Sequence, residues 1–278
     1  MNNFGFTEEE VQRYSRHILL PEIGGEGQRK LLGSSAFVIG AGGLGSPALL
    51  YLAAAGVGRL GIADSDRVEL SNLQRQVIHG TDDVGRSKGI SAGEAVGRIN
   101  PRCEVQVFPQ RLTAGNIRQV IRGYDVALDG SDNFPTRFLV ADCCWFENIP
   151  LVSASVIRFD GQLMSILPNA GDPCYRCFFP EAPPAGLMSS CQEAGVLGAA
   201  AGVMGTLQAV EALKVLLGLG STMSNRLLVY DALECDFNLV ERERDPRCPL
   251  CGANPSITDV EEYDASCVPS TENRGAKL

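Results

Sequence analysis

Short apolar runs, several of them closed by glycine or a carboxylate, alternate with stretches of helical period over the first half of the chain. Ala36 to Ile39 reads as a buried strand and Pro47 to Ala55 as a helix of Ala and Leu. Gly61-Ile62-Ala63-Asp64 closes the next strand. A helix then runs from Lys88 to about Ile99, followed by a strand over Glu104–Phe108 and a helix over Asn116–Arg122. The strand Val126–Leu128 precedes a helix over Pro135–Asn148. Such βα alternation predicts a parallel sheet. Beyond Leu151 the pattern changes. Leu151–Val156 and Gln162–Leu167 read as strands joined by a polar turn at Arg158–Gly161, which predicts a hairpin. A long helix to Leu217 and strands at Leu227–Tyr230 and Phe237–Glu241 complete the set. At the front, Thr7 and Glu10 form a capping box for a helix carrying Arg13-Tyr14-Ser15-Arg16-His17. Pro21 and the glycines at 24, 25 and 27 break it.

Between the first strand and its helix lie glycines at 40, 42 and 45, the G-x-G-x-x-G spacing. One allows a tight turn, one lets backbone approach a phosphate, and one lets helix pack on strand. Ser46 is placed to cap the helix, Pro47 suits a first helical turn, and the free N–H groups there favour an anion. Asp64 stands where a carboxylate holds a ribose hydroxyl. The fold class expected is therefore α/β, a Rossmann-like mixed sheet, parallel in the N-terminal half and antiparallel in the C-terminal half. A nucleotide is expected at the turn, but the fingerprint does not separate NAD from ATP. Further polar stretches follow strand ends: Glu69 to Gln76, Lys88 in a first helical turn, and Asp129-Gly130-Ser131-Asp132-Asn133. A lysine at a helix start opposes the dipole, which hints that it serves a ligand. Asp129 or Asp132 could equally cap the following helix.

The 278 residues hold 45% hydrophobic and 21% charged residues with a formal charge of −9, ordinary for a globular protein. That charge argues against nucleic acid and against an anionic membrane surface. The N-terminus has no signal-peptide pattern, and the uncharged run 194–210 falls short of the roughly 20 residues of a span. A cytoplasmic location is expected.

Ten cysteines without a secretion signal point to metal or thiol chemistry. Cys174-x-x-Cys177 and Cys248-x-x-Cys251 are matched knuckles suited to a closed, structural zinc site, with a redox dithiol or plain buried thiols as the other readings. Cys191 lies in the Pro- and Cys-rich loop 168–193, just before the long helix, where a thiol becomes nucleophilic; an inert loop cysteine is the other reading. Residues 253–278 turn acidic and polar and read as a mobile tail after a domain over 1–252.

Arg13-Tyr14-Ser15-Arg16, Gly40-Ala41-Gly42-Gly43-Leu44-Gly45, Ser71-Asn72-Leu73-Gln74-Arg75-Gln76, Ser131-Asp132-Asn133 and the paired knuckles occur in order. Over residues 10–252 this set resembles the MoeB/ThiF family, the adenylyltransferases of molybdopterin and thiamine biosynthesis, kin to ubiquitin-activating enzymes. The resemblance implies ATP-dependent adenylation of the C-terminal glycine of a small ubiquitin-like sulfur-carrier protein of the MoaD/ThiS type, ending in Gly-Gly. It implies a nucleotide over Gly43 with Asp64 on the ribose, and Asn72, Arg75 and Lys88 on the phosphates. It also implies Ser71, Leu73, Gln74 and Asn133, in the same motifs, as nucleotide-binding residues, and Asp132 as the residue that positions Mg2+. Arg16 would reach into the partner subunit's site, implying a homodimer. Cys191 matches a cysteine that in some members links covalently to the carrier. Residues 253–278 are too few for the sulfurtransferase domain of larger members, so a separate sulfur donor is expected. The residues agree with this picture: without a G-x-x-x-x-G-K-[ST] loop, a triphosphate must be gripped by side-chain cations and metal. A nicotinamide-dependent oxidoreductase, a non-catalytic carrier-binding subunit and an enzyme activating a peptide carboxyl group are the rival readings.

Overall fold

The computed structural model describes residues 5–168, 171–181 and 194–263. Helices α1 (Glu8–Ile18) and α2 (Gly24–Leu32) precede strand β1 (Ser35–Ile39) and helix α3 (Gly45–Ala55). Then come β2 (Arg59–Ala63), α4 (Lys88–Ile99), β3 (Glu104–Phe108), α5 (Ile117–Ile121), β4 (Val126–Asp129) and α6 (Phe134–Phe146). The second half holds β5 (Leu151–Ile157), β6 (Asp160–Ile166), the short α7 (Tyr175–Phe178), α8 (Gly198–Leu217), β7 (Arg226–Asp231) and β8 (Asp236–Glu241).

The eight strands make one sheet in the order β3-β2-β1-β4-β5-β6-β7-β8. Pairing is parallel from β3 to β5 and antiparallel from β5 to β8, the mixed α/β sheet that the patterning predicts. The strand order reverses between β1 and β4, each of which leads into a helix across the sheet end. That switch point opens a crevice at the carboxyl ends of the strands.

Alternate residues of β1 face opposite sides. Ala36 and Val38 join the core beneath α3, α4 and α8, while Phe37 and Ile39 join the core beneath α5, α6 and the cysteine knuckle. All four are buried, and each large apolar side chain so buried contributes about 1.5–3 kcal/mol. Helix α8 is long and apolar enough to cross a membrane. It is instead the central helix, packed on α3 and on β4, β5 and β6. Its buried Gln208 donates to the carbonyls of Asp129 and Val152 at 2.8 Å each, tying two strand ends together.

The segment after the second knuckle departs from the sequence reading. Residues 253–263, counted there in a mobile tail, lie against the α5–α6 face. The Tyr263 hydroxyl donates to buried Asp142 at 2.7 Å, Asp259 pairs with Arg118 at 2.6 Å, and Glu262 accepts the Ala114 N–H at 2.8 Å. Ile257, Val260 and Tyr263 supply the apolar contacts. Two of the acidic residues that made this stretch look solvated, Asp259 and Glu262, are held by a basic and an N–H partner.

Candidate functional site

At the end of β1 the chain turns at Gly40, whose φ of +87° an L side chain rarely adopts. A Cβ on Gly45 would collide with the Gly40 carbonyl, so turn and helix meet through glycine alone. Gly42 is different: a Cβ there would find only the Gln76 amide, 3.6 Å away, because this face opens on the crevice. The expected Ser46 cap does not form. Helix α3 begins at Gly45, with Leu44 as its cap and no side-chain hydrogen bond. This turns Ser46 inward, fully buried, with its hydroxyl oxygen unpartnered. The first N–H groups of α3 consequently lack a side-chain acceptor, which suits an anion.

Asp64 follows β2. One carboxylate oxygen accepts the Ala41 N–H and the other the Asp66 N–H, both at 2.8 Å. Each oxygen keeps a lone pair for a ribose hydroxyl. Burial pushes its pKa up, against the pull of those two N–H groups and of Lys88.

The residues from Ser71 to Gln76 divide by role. Arg75 lines the crevice, its stem 3.5 Å from the Cβ position of Gly43 and its guanidinium held by the Ser71 carbonyl at 3.2 Å. Gln76 lines it too, buried, with its side-chain oxygen unpartnered. Ser71, Asn72, Leu73 and Gln74 do not line it. Asn72 instead fastens the loop by accepting the Glu69 N–H at 3.2 Å, and Gln74 abuts the start of α8 at Gly198.

Lys88 opens α4 and is buried except for a contact to Asp66 at 3.0 Å. Opposite it, Asp132 is exposed and Asn133 caps α6 by accepting the Thr136 N–H at 3.0 Å, so neither aspartate is the cap. Asp129 is buried and binds Ser131 through its N–H (3.0 Å) and hydroxyl (2.6 Å). Together Gly43, Asp64, Arg75, Lys88, Asp132 and Asn133 surround a cleft of about 440 Å³. Arg16 lies elsewhere, exposed on α1, and Cys191 lies outside the described residues.

Gln76, at the end of the polar stretch the sequence singled out, lines the cleft; sequence reasoning missed Gln110, Arg111 and Arg137, which line it too. Arg137 sits in the first turn of α6, donates to the Ser131 carbonyl at 2.9 Å and leaves its Nε buried without a partner. The signal was available: a cation opening a helix, the same anomaly that marks Lys88. Arg137 and Asp132 also border a second cavity of about 180 Å³, which reaches past Ser153 and Ser155 to Tyr175 and Phe179.

Cys174, Cys177, Cys248 and Cys251 converge, with all four sulfurs within 4.8 Å of one another. Pairs stand at 3.8, 3.5 and 3.3 Å, beside the about 3.8 Å edge of a tetrahedral zinc–thiolate site. The Asp245 N–H points at Cys177 and the Cys251 N–H at Cys248, which stabilises sulfur anions. Burial and the neighbouring sulfurs drive the Cys174 thiol well up, a cost that a bound cation reverses. The donor set therefore fits a metal ion and leaves no open coordination position.

Solved structures share the fold. Escherichia coli MccB superposes with a TM-score of 0.77 at 21% identity, over 91% of this chain and 75% of that one. Sequence relatives lie nearer. The sulfur carrier protein adenylyltransferase of Thermus thermophilus is 48% identical, covering 94% of this chain and 98% of its own length. The SAMP-activating enzyme E1 of Haloferax volcanii is 48% identical over 95% of this chain and 97% of its own. The adenylyltransferase and sulfurtransferase MOCS3 of Bos taurus is 49% identical, and the chain spans 60% of that longer protein. These relatives are nucleotidyltransferases, and so is this chain. The ThiF family model matches residues 14–250, and with these relatives it makes the chain a member of the ThiF family.

Proposed function

We propose that the chain activates the C-terminal glycine of a small ubiquitin-like sulfur-carrier protein with ATP. One carboxylate oxygen of that glycine attacks the α-phosphorus, the bond to the bridging oxygen breaks, and pyrophosphate leaves an acyl-adenylate. The observation that carries this reading is a single cleft joining a glycine turn and Asp64 to Arg75, Lys88 and Asp132. The turn and Asp64 suit the nucleoside, and the cations suit charge that builds on the phosphates. Mg2+, when bound, neutralises phosphate oxygens, and exposed Asp132 is the residue proposed to hold it. Arg137 stands where the two cavities meet, the larger suited to nucleotide and the smaller to a slender glycine tail.

The proposal extends to a homodimer. Arg16 is exposed on α1, which suits a side chain that completes a second subunit's cleft. Zinc is the ion proposed for the knuckle, by its four sulfur donors. Cys191 and a separate sulfur donor belong to the later step, in which sulfur attacks the acyl carbon and AMP departs.

The test is pyrophosphate exchange into ATP with carriers of the molybdopterin type, the thiamine type and others, each ending in Gly-Gly. Exchange with one carrier establishes reaction and pathway together. Absence of exchange with every carrier, by a folded protein that still binds ATP, overturns the proposal in favour of an enzyme that activates a peptide carboxyl group.

A further inference from the structure

The mechanism above leaves His79 unused, although it lies at the centre of the site's framework. It ends the loop that carries Arg75 and Gln76, and it is 7% exposed. Its Nε2 is 2.9 Å from the carbonyl of Ala41 and its Nδ1 is 2.9 Å from the Ser91 hydroxyl. Ala41 is the residue whose N–H is bound to Asp64. Ser91 is in the first turn of α4, three residues after Lys88. One imidazole thus bridges the glycine turn, the arginine loop and the lysine helix.

A carbonyl only accepts, so Nε2 carries the proton and Nδ1 takes the Ser91 hydroxyl hydrogen. Burial favours the uncharged ring; the carboxylates of Asp83 and Asp64 oppose that and Lys88 supports it. The Asp83 carboxylate, which also accepts the Gly80 N–H and an Arg86 contact, is a second acceptor for the Ser91 hydroxyl, so the ring shares that hydrogen with it.

We propose that His79 is a positioning residue for adenylation, holding the Ala41 peptide so that the Asp64 end of the cleft and its phosphate-binding cations keep a fixed separation. The inference rests on the proposed reading of the cleft as an ATP site.

The variants separate the two ring contacts. In His79→Gln the amide nitrogen reaches the place of Nε2, whereas in His79→Asn it reaches only that of Nδ1. Losing a buried hydrogen bond to the turn is expected to raise KM for ATP about tenfold in His79→Ala and His79→Asn. KM for the carrier should stay unchanged, and His79→Gln should return KM for ATP to near the wild-type value. Equal behaviour of the Gln and Asn variants, or an unchanged KM for ATP in folded His79→Ala, overturns the proposal. Should the substitutions at 79 fail to fold, Ser91→Ala keeps the ring and removes its second partner. With one anchor of the ring gone, KM for ATP should rise while imidazole 15N spectra still show the Nε2–H tautomer held by the Ala41 carbonyl; an unchanged KM would sink it. Calorimetric binding of ATP to the wild type and to His79→Ala keeps the two readings apart. Wild-type binding without exchange fails the reaction alone, while equal binding by both proteins fails the role of His79.

Discussion

Lys88 and Arg176 are both cations held almost wholly inside the protein, with side chains 10% and 5% exposed. Their partners differ. Lys88 meets Asp66, a carboxylate 68% exposed, through one contact at 3.0 Å. Arg176 grips the fully buried Asp142 through two nitrogens at 3.1 and 2.7 Å, and also donates to the Pro180 carbonyl and the Tyr263 hydroxyl. It stacks over Phe138 besides. Around the cleft, Gln76 and Arg137 keep buried polar atoms unpartnered. Beside the knuckle Arg242 also leaves its Nε unpartnered while its other nitrogens donate to the Pro173 and Cys174 carbonyls, but Arg176 engages every nitrogen. The contrast therefore lies between the two ion pairs: Lys88 keeps bonding capacity for a ligand, and Arg176 spends its own on holding the chain together.

The contrast is most open to attack at the knuckle. Cys248→Ser should abolish metal binding, measured by elemental analysis, and remove most of the stability of the second half. Closed thiolate sites contribute about 10 kcal/mol or more. Next comes Asp142→Ala, which strands a buried guanidinium and should cost about 3–5 kcal/mol in denaturant unfolding, with metal still bound. Lys88→Met should do the opposite. Its exposed-partner ion pair is worth about 1 kcal/mol or less, so stability barely changes, while pyrophosphate exchange falls about a hundredfold. A Lys88→Met protein as unstable as Asp142→Ala would erase the distinction between the regions. The smallest effect sharpens it: Tyr263→Phe should cost about 1 kcal/mol and leave exchange intact, because its hydroxyl serves only the Arg176–Asp142 pair.

Much of the cleft was legible because its signals are local. The glycine turn, Asp64 and Asp132 each follow a strand end within a few residues, and cations placed against a helix dipole are visible in one dimension. Arg137 carried the same mark as Lys88, masked by the neighbouring aspartates, either of which could have served as the helix cap. The cap at Ser46 failed because a helix start shifted by two residues turns a side chain from the terminus to the core. The docked stretch 253–263 was illegible for another reason. Its partners, Arg118, Asp142 and Arg176, lie far back in the sequence, and acidic composition alone looks the same whether solvated or paired. Glu211 and Lys214, by contrast, fall one helical turn apart and pair at 2.6 Å, a contact between near neighbours in the sequence.

The knuckle's two cysteine pairs stand 74 residues apart along the chain, with β7 and β8 between them. Closing a loop of that length in an unordered chain costs about 4 kcal/mol of entropy, so Cys174 and Cys177 alone hold half a coordination shell and exchange their ion freely. An ion bound by the full set of four would be trapped only once Cys248 and Cys251 have been delivered by the antiparallel strands. Its slow release would then timestamp the end of folding, and a chelator added at intervals during refolding would read out when the last strands arrive.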